Sequence, residues 1–288
     1  MALDYDLIKA WKFADVRQTY TQKDAILYAL SIGLGQDPLD EAQLAFVYEA
    51  RLKVFPTMAA VLGYPGFWMQ DPKAKITWVK LVHGEQRMSF HRPFPVEGEV
   101  IGRSRVSHVI DKGSDKGALV VVERKLYNAA DETLLATVEQ TTFCRADGGF
   151  GKGDQAPEAL PKVPERRPDH VCELPTLPQA ALLYRLNADP NPLHVDPGVA
   201  REAGYPKPIL HGLCTYGVAA HALVKTLCAY DAARLTYLNT RFSAPVYPGE
   251  TLIVEIWDGG AGTVQFQAKV AERDIVVLSN GVAGVKNE

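Results

Sequence analysis

Gly212-Leu-Cys-Thr-Tyr-Gly-Val-Ala-Ala-His-Ala-Leu-Val-Lys-Thr-Leu-Cys228 is the stretch on which the fold turns. Within it Leu213, Gly217, Ala220, Val224 and Leu227 recur at alternating spacings of four and three. Helical side chains return to one face at that interval, so the spacing predicts a helix from Gly212 to about Cys228. Gly217, Ala219 and Ala220 keep its girth small. A helix so rich in Gly and Ala suits close embrace by a curved sheet, which puts it at the centre of the fold rather than on the surface. Three β-rich runs follow it, Thr251 to Trp257, Thr263 to Val270 and Ile275 to Val285, separated by turns such as Asp258-Gly-Gly260.

Working outward, the same order of elements recurs upstream. Val100 to Ile110, Ala118 to Leu126 and Leu134 to Phe143 form a second set of three runs, with Asp111-Lys-Gly113 as one turn. Tyr28-Ala-Leu30 answers Tyr184-Arg-Leu186 at an offset of 156, and Phe90-His-Arg-Pro93 answers Phe242-Ser-Ala-Pro245 at 152. Both Phe-x-x-Pro runs then reach a Gly-Glu, at Gly98-Glu99 and Gly249-Glu250. A duplicated α+β unit follows. Thr57 to Leu62, closed by Gly63, stands where the first half should own its helix, shorter and less regular than the other. The Gly148-Gly-Phe-Gly-Lys-Gly153 run and the prolines from Pro157 to Pro178 mark a connection, giving a first repeat over 1–147, a linker over 148–178 and a second repeat over 179–288.

Composition bounds the rest. A chain of 288 residues, 47% apolar and 23% charged, must fold around a real core, as two domains or one large barrel. Thirty-one Lys and Arg against 34 Asp and Glu leave a formal charge of −3 with no long single-sign run, so neither nucleic acid nor an anionic membrane is an expected partner. Four widely spaced cysteines without a C-x-x-C pair argue against a zinc module or a disulfide framework and favour a reducing compartment. The acidic N-terminus and the lack of a run of about 18 apolar residues predict neither a signal peptide nor a membrane span. Val285-Lys-Asn-Glu288 is not a Ser-Lys-Leu type address, and the cytoplasm is the default expectation.

The chemistry is expected in Tyr184-Arg-Leu-Asn-Ala-Asp-Pro-Asn-Pro-Leu-His-Val-Asp-Pro197. Pro190, Pro192 and Pro197 forbid a regular helix or central strand, so Asp189, Asn191 and His194 project from a restrained loop. Such a turn can bring a carboxylate and an imidazole to one point, with a water between them. The competing reading makes Asp189 and Asn191 turn formers and His194 a cap. An EF-hand would need glycine and glutamate where His194 and Ala200 stand, so no metal is expected. H-E-x-x-H, G-x-S-x-G, G-x-G-x-x-G and G-K-[ST] motifs are all missing, and with them zincin, α/β-hydrolase, dinucleotide-binding and phosphate-loop readings. Cys214, beside His211, reads as a packing residue of the apolar helix rather than a nucleophile.

That loop, together with Lys207-Pro-Ile-Leu-His-Gly-Leu-Cys-Thr215 and Arg241-Phe-Ser-Ala-Pro-Val-Tyr-Pro-Gly249, closely resembles the hydratase 2 family, the MaoC-like, R-specific enoyl-CoA hydratases. Leu81-Val-His-Gly-Glu-Gln86, Asp111-Lys-Gly113 and Gly148-Gly-Phe-Gly151 resemble the double-hot-dog units of multifunctional β-oxidation enzymes. One departure is Ala188, where the family usually has glycine before the acidic residue.

The resemblance implies a double hot-dog fold, each half a central helix wrapped by an antiparallel sheet. It implies reversible syn addition of water to a trans-2-enoyl-CoA, giving an (R)-3-hydroxyacyl-CoA without a cofactor. Asp189 and His194 resemble the acid/base pair, Asn191 the residue that orients the water, and the Gly212 N–H the oxyanion donor. His83, Gly84, Lys112, Leu193 and Phe242 match substrate-binding positions; singly, Lys112 reads as a solvated turn lysine and Phe242 as core. Homodimerisation is the family expectation. Shifting Asp189 and His194 back by 156 lands on Gly33 and Pro38, and no histidine precedes His83, so the first half cannot repeat the chemistry and is expected to accommodate the acyl chain. An acyl-CoA thioesterase and a non-catalytic acyl-CoA binding subunit are the alternatives, since a hot-dog fold alone does not fix function. The Asp-x-Asn-Pro-x-His motif argues against both.

Overall fold

The computed structural model describes residues 2–187 and 189–286. Among these, ten strands form one antiparallel sheet: β1 (Val16–Tyr20), β2 (Leu81–Phe90), β3 (Gly98–Asp111), β4 (Ala118–Asn128), β5 (Leu134–Cys144), β6 (His170–Pro175), β7 (Leu235–Phe242), β8 (Thr251–Asp258), β9 (Thr263–Val270) and β10 (Ile275–Val285). The helices are α1 (Tyr5–Lys9), α2 (Gln22–Ser31), α3 (Leu44–Val47), α4 (Ala180–Tyr184), α5 (Pro197–Glu202) and α6 (Gly212–Cys228), with several short 3-10 turns between them. The six runs expected from sequence are β3, β4, β5, β8, β9 and β10.

The strands lie in the order β1-β3-β4-β5-β2-β7-β10-β9-β8-β6. Followed inward from its own edge, each half has the same connectivity. At the seam, β2 and β7 pair with Arg87 opposite Asn239, Glu85 opposite Arg241 and Ser89 opposite Tyr237. Arg87 and Asn239 are 152 residues apart, the offset of the Phe-x-x-Pro landmarks, and the flanking pairs exchange duplicates in the same way. A pseudo-two-fold axis therefore passes between them. The 156-residue offset meets on the molecule too: the Tyr28 and Tyr184 rings lie 6.1 Å apart, and the Asn187 side-chain amide donates to Ser31 Oγ at 3.2 Å. Two five-stranded units joined side by side around a central helix make the double hot-dog arrangement.

The centre of the second half is α6, buried continuously from Cys214 to Val224. Leu213 and Leu227, at the two ends of the expected stripe, are only half-buried, whereas between Cys214 and Val224 every face of the helix is covered. Gly217 permits that closeness: a Cβ there would come within 2.5 Å of the Ile32 side chain. In the first half the expected helix is a five-residue 3-10 turn, Pro56–Ala60. Gly63 ends the segment at φ +57°, with its would-be Cβ 2.9 Å from Gly102 Cα on β3, and there is no room to continue. The core is accordingly in two pieces. The larger surrounds α6, and a second, containing Ile8, Met69, Val109 and Val120, fills the far end of the first half.

The linker is irregular but anchored. The Asp111 carboxylate accepts the Gly149 and Gly151 N–H groups at 2.8 and 2.7 Å, so the two glycine-bearing motifs interlock. The carbonyls of Glu158, Leu160, Lys162 and Arg166 then accept side-chain bonds from Arg87, Asn280, Gln265 and Trp257, carrying the chain from the seam across β10 and β9 to β8. Its end becomes β6, paired with β8, so part of the expected linker is strand. No helix among the described residues is long and apolar enough to cross a membrane, and all four cysteines are free and buried.

His221, on α6, and His211, at its N-terminus, are each 1% exposed. Burial pushes both imidazoles down to about 4 from an ordinary 6.5. They are neutral in the fold, whereas the unfolded chain takes up protons as pH falls through the ordinary value. The unfolded state then binds more protons, so stability is full above about pH 7 and declines as pH falls from 6.5 toward 4. Melting temperature measured calorimetrically is expected to be flat from about pH 8 to 7 and to drop by several degrees by about pH 5. A profile still flat at the lower pH contradicts the burial of neutral histidines.

Candidate active site

The loop from Arg185 to Pro197 is held by its own side chains. Asn187, almost buried, donates from Nδ2 to the Tyr184 carbonyl and to Ser31 Oγ, tying the loop to α2 of the other half. Asp189 Oδ1 accepts the Asn191 N–H at 3.3 Å, and Asn191 Oδ1 accepts the Leu193 N–H at 3.1 Å. Pro192 starts a single 3-10 turn, Pro192–His194. Asp196 caps α5 through the Gly198 N–H at 2.7 Å. The turn-forming roles of Asp189 and Asn191 are therefore real. They occupy one oxygen of each side chain and leave Asp189 Oδ2 and the Asn191 amide nitrogen over.

His194 is 8% exposed, and its Nδ1 lies 2.8 Å from the Ile209 carbonyl. A carbonyl only accepts, so Nδ1 carries the hydrogen and Nε2 presents a lone pair. The ring stacks on that of His211, centroids 3.7 Å apart and planes 27° from parallel. His211 Nε2–H donates to the Asp189 backbone carbonyl at 3.2 Å and sits 4.0 Å from Asp189 Oδ2, and its Nδ1 has no partner among the described residues. Burial lowers the His194 pKa, against the pull of the Ile209 carbonyl and the Asp189 carboxylate. His211 is held down by burial and then by His194 itself. Both rings are thus kept neutral, beside a carboxylate that remains 41% exposed.

Asp189, His194 and His211 each offer a ligand atom within 4.8 Å of the others, a set that could in principle hold a metal ion. Ring stacking tells against it. The lone pairs of two imidazoles lie in their ring planes, so nearly parallel stacked rings do not converge on one ion as tetrahedral ligands must. The same arrangement suits a water, which needs two separate acceptors for its two hydrogens.

Gly212 opens α6 directly after His211, and its N–H has no acceptor among the described residues, as expected of a first helical turn. A Cβ at Gly212 would stand 3.3 Å from the Phe242 ring. Phe242 packs on His83 with centroids 4.5 Å apart, because β7 and β2 adjoin at the seam. Gly84 is the extra residue of a bulge between His83 and Glu85 in the pairing with β5. Of the positions picked from sequence, the structure thus brings together Asp189, Asn191, Leu193 and His194 on one loop, and Gly212, Phe242, His83 and Gly84 beside one another. Lys112 is apart from them, exposed in the β3–β4 turn with its N–H on the Gly117 carbonyl. Ala188 lies outside the described residues. Cys214 is the packing residue expected: its thiol, fully enclosed and raised by burial, donates to the Ser31 carbonyl at 3.3 Å.

His211 is the site residue that sequence reasoning passed over. Its only signal was adjacency to Gly212, since stacking on His194, 17 residues away in sequence, comes from the fold.

The arrangement is equipped to move protons about one bound water, and fold and site together define a double hot-dog hydro-lyase. The MFE-2 hydratase 2 N-terminal domain family matches residues 18–146, and the MaoC like domain family matches residues 159–280. The peroxisomal enoyl-CoA hydratase 2 of Arabidopsis thaliana is 39% identical, covering 96% of this chain and 94% of the relative. The solved MaoC-like dehydratase from Phytophthora capsici superposes with a TM-score of 0.87 at 32% identity, covering 98% of this chain and 99% of its own. A double-hotdog protein of Mycobacterium tuberculosis shares the fold at 15% identity, with a TM-score of 0.58 and coverage of 96% of each chain. The chain belongs to the MaoC-like enoyl-CoA hydratase 2 family.

Asp189→Asn and His194→Ala are each expected to lower kcat for enoyl-CoA hydration by about 10²–10⁴-fold with little change in melting temperature. Cys214→Ala is expected to keep its turnover. Near-normal kcat in both of the first two variants would remove the assigned roles.

Proposed function

We propose that the protein catalyses reversible syn hydration of trans-2-enoyl-CoA to (R)-3-hydroxyacyl-CoA in fatty acyl-CoA or related acyl-CoA metabolism. The observation that carries this is the fixed tautomer of His194: with Nδ1–H committed to the Ile209 carbonyl, its Nε2 lone pair is free to share a water with the Asp189 carboxylate. In hydration the water oxygen bonds to C3 and the C2–C3 π pair moves toward the thioester oxygen. The Asp189–His194 pair takes one proton from the water and returns one to C2, so it ends as it began. The Asn191 amide orients the water. The Gly212 N–H, at the positive end of α6, donates a hydrogen bond to the thioester oxygen as negative charge develops there. So written, the reaction needs no cofactor and no metal.

We read residues 1–147 as a repeat that has given up catalysis for acyl accommodation, 148–178 as the connection and 179–288 as the catalytic repeat. Gly33 and Pro38 at the positions of the acid/base pair, and a 3-10 turn in place of a long central helix, support this division. His83, Gly84, Leu193 and Phe242 would line the acyl-CoA site, and Lys112 would meet the nucleotide phosphates from its turn. Four free buried cysteines suit a reducing compartment, and the cytoplasm is our assignment, with a homodimer as the assembly.

Adding enzyme to crotonyl-CoA is expected to bleach the ultraviolet band of the enoyl thioester and yield the R product on chiral analysis. Longer enoyl chains should be turned over at least as well. Release of free thiol without hydration would instead indicate a thioesterase.

Two substitutions at the oxyanion position separate crowding from hydrogen bonding. Gly212→Ala keeps the N–H and adds a Cβ near Phe242; Gly212→Pro adds similar bulk, suits a first helical position and removes the N–H. The proline variant is expected to fall below the alanine variant in kcat by about 10²–10³-fold. Equal values for the two would remove Gly212 as the donor.

A further inference from the structure

Arg124 is a buried cation without a counter-charge. It stands on the inner face of β4 and is 5% exposed. Leu126 on one side of it belongs to the main core, and Val120 on the other belongs to the second cluster. Its Nη2 donates to the Ala59 and Ala60 carbonyls at 3.1 and 2.7 Å, and its Nε, also buried, has no partner among the described residues. Among those residues it makes no ion pair; the charged or polarisable group beside it is the Tyr64 ring, 5.5 Å away. Burial pushes the guanidinium down to about 10, which leaves it charged near neutrality. An unpaired buried charge costs several kcal/mol, and two backbone carbonyls supply hydrogen bonds but no compensating charge.

The guanidinium opens on a pocket with apolar walls from Met69, Val122 and Val138 and further polar atoms from Gln140 and Thr142. The pocket lies between the two cores, with Val138 from the larger and Met69 from the second. Two of its lining residues neighbour the catalytic centre. Thr142 is the register partner of His83, whose ring packs on Phe242 beside Gly212. Tyr64, which lines the pocket, lies close enough to Asp189 for that carboxylate to help raise its hydroxyl pKa. From β7, which carries Phe242, across β2 and β5 to β4 is three strand spacings, about 14 Å, the span of an acyl chain on the order of ten carbons.

We propose that the pocket at Arg124 receives the far end of the acyl chain and selects chains that end in a carboxylate, the mono-CoA thioesters of unsaturated dicarboxylic acids. This rests on the hydratase reading and adds the substrate class. A carboxylate supplies the charge that Arg124 lacks and can accept from the Nε–H that has no partner among the described residues, while Gln140 and Thr142 complete its hydrogen bonds. A methyl-terminated chain would leave the cation unpaired and shut off from water. An alcohol or ester end would hydrogen-bond without neutralising it.

The test compares kcat/KM for trans-2-enoyl-CoA substrates of about 8–14 carbons ending in carboxylate, in methyl ester or in methyl, with crotonyl-CoA as the short reference. Wild-type enzyme is expected to favour the carboxylate end over the methyl end at least about tenfold at its best chain length. The methyl ester should behave like the methyl chain. In Arg124→Met the ratio is expected to fall to about one. Should that variant fail to fold by circular dichroism, competitive inhibition of the wild type by saturated ω-carboxyacyl-CoA, against acyl-CoA of equal length, gives the same ratio. Equal or better use of the methyl-terminated chain by the wild type overturns the proposal, as does a preference that persists in Arg124→Met. Failure to hydrate crotonyl-CoA would strike at the hydratase reading; hydration of crotonyl and long enoyl chains without discrimination would strike at the Arg124 subsite alone.

Discussion

The pairing of β2 with β7 is the contact on which the rest of the molecule depends. With Arg87 opposite its own duplicate Asn239, the two half-sheets become one ten-stranded surface, and Glu85 and Arg241 are brought together in an ion pair at 2.7 Å. The seam also sets His83 beside Phe242 and therefore beside Gly212. The same symmetry packs α2 of the first half on the loop and helix of the second. Tyr28 faces Tyr184, Ser31 accepts from Asn187, and the Ser31 carbonyl accepts from Cys214. The first half thus buttresses the loop that carries Asp189 and His194.

Electrostatics around His194 and His211 follow from burial more than from charge pairing. Two imidazoles stacked at 3.7 Å inside the protein cannot both be protonated, since each would meet a like charge in a poorly solvated place. The backbone then assigns their hydrogens. The Ile209 carbonyl takes Nδ1–H of His194, and the Asp189 carbonyl takes Nε2–H of His211, so His194 turns its lone pair to the site while His211 forms a floor beneath it. A neutral imidazole beside a carboxylate is a suitable arrangement for shuttling one proton.

The duplication is faithful in topology and unequal in content. One centre is a 17-residue helix of small residues, the other a five-residue 3-10 turn tied to α2 by a hydrogen bond from Tyr28 to Thr57. Because the short plug does not reach across its sheet, the first half needs a second hydrophobic cluster and leaves between the two a gap with apolar walls and the Arg124 guanidinium. Identical strand order therefore wraps a long helix in one repeat and a short turn in the other, and this inequality is what our division of labour between the repeats rests on.

Much of this was legible in the residues. Period-two runs bounded by Gly and Asp turns located six of the ten strands, since alternation survives whatever the sheet packs against. The small-residue helix announced its central place, and the prolines around Asp189, Asn191 and His194 announced a restrained loop. The strands at the seam were harder to see: β2 carries Gly84 and a bulge, and β7 mixes Asn239, Thr240 and Arg241 into its run, so neither shows clean alternation. The short first-half helix is legible in sequence, but that it ends as a 3-10 turn depends on the approach of Gly63 to Gly102, far along the chain.

By itself the sequence determined the duplicated α+β plan, the family resemblance and the residue types available for chemistry, because these reside in local pattern and in spacing along the chain. Tertiary structure alone decided which nitrogen of His194 is free, that His211 lies beneath it, and that Arg124 is buried without a counter-charge among the described residues. Each of those depends on a carbonyl, a ring or a missing carboxylate supplied by a distant segment, and a buried group's protonation and pairing are set by what surrounds it in space.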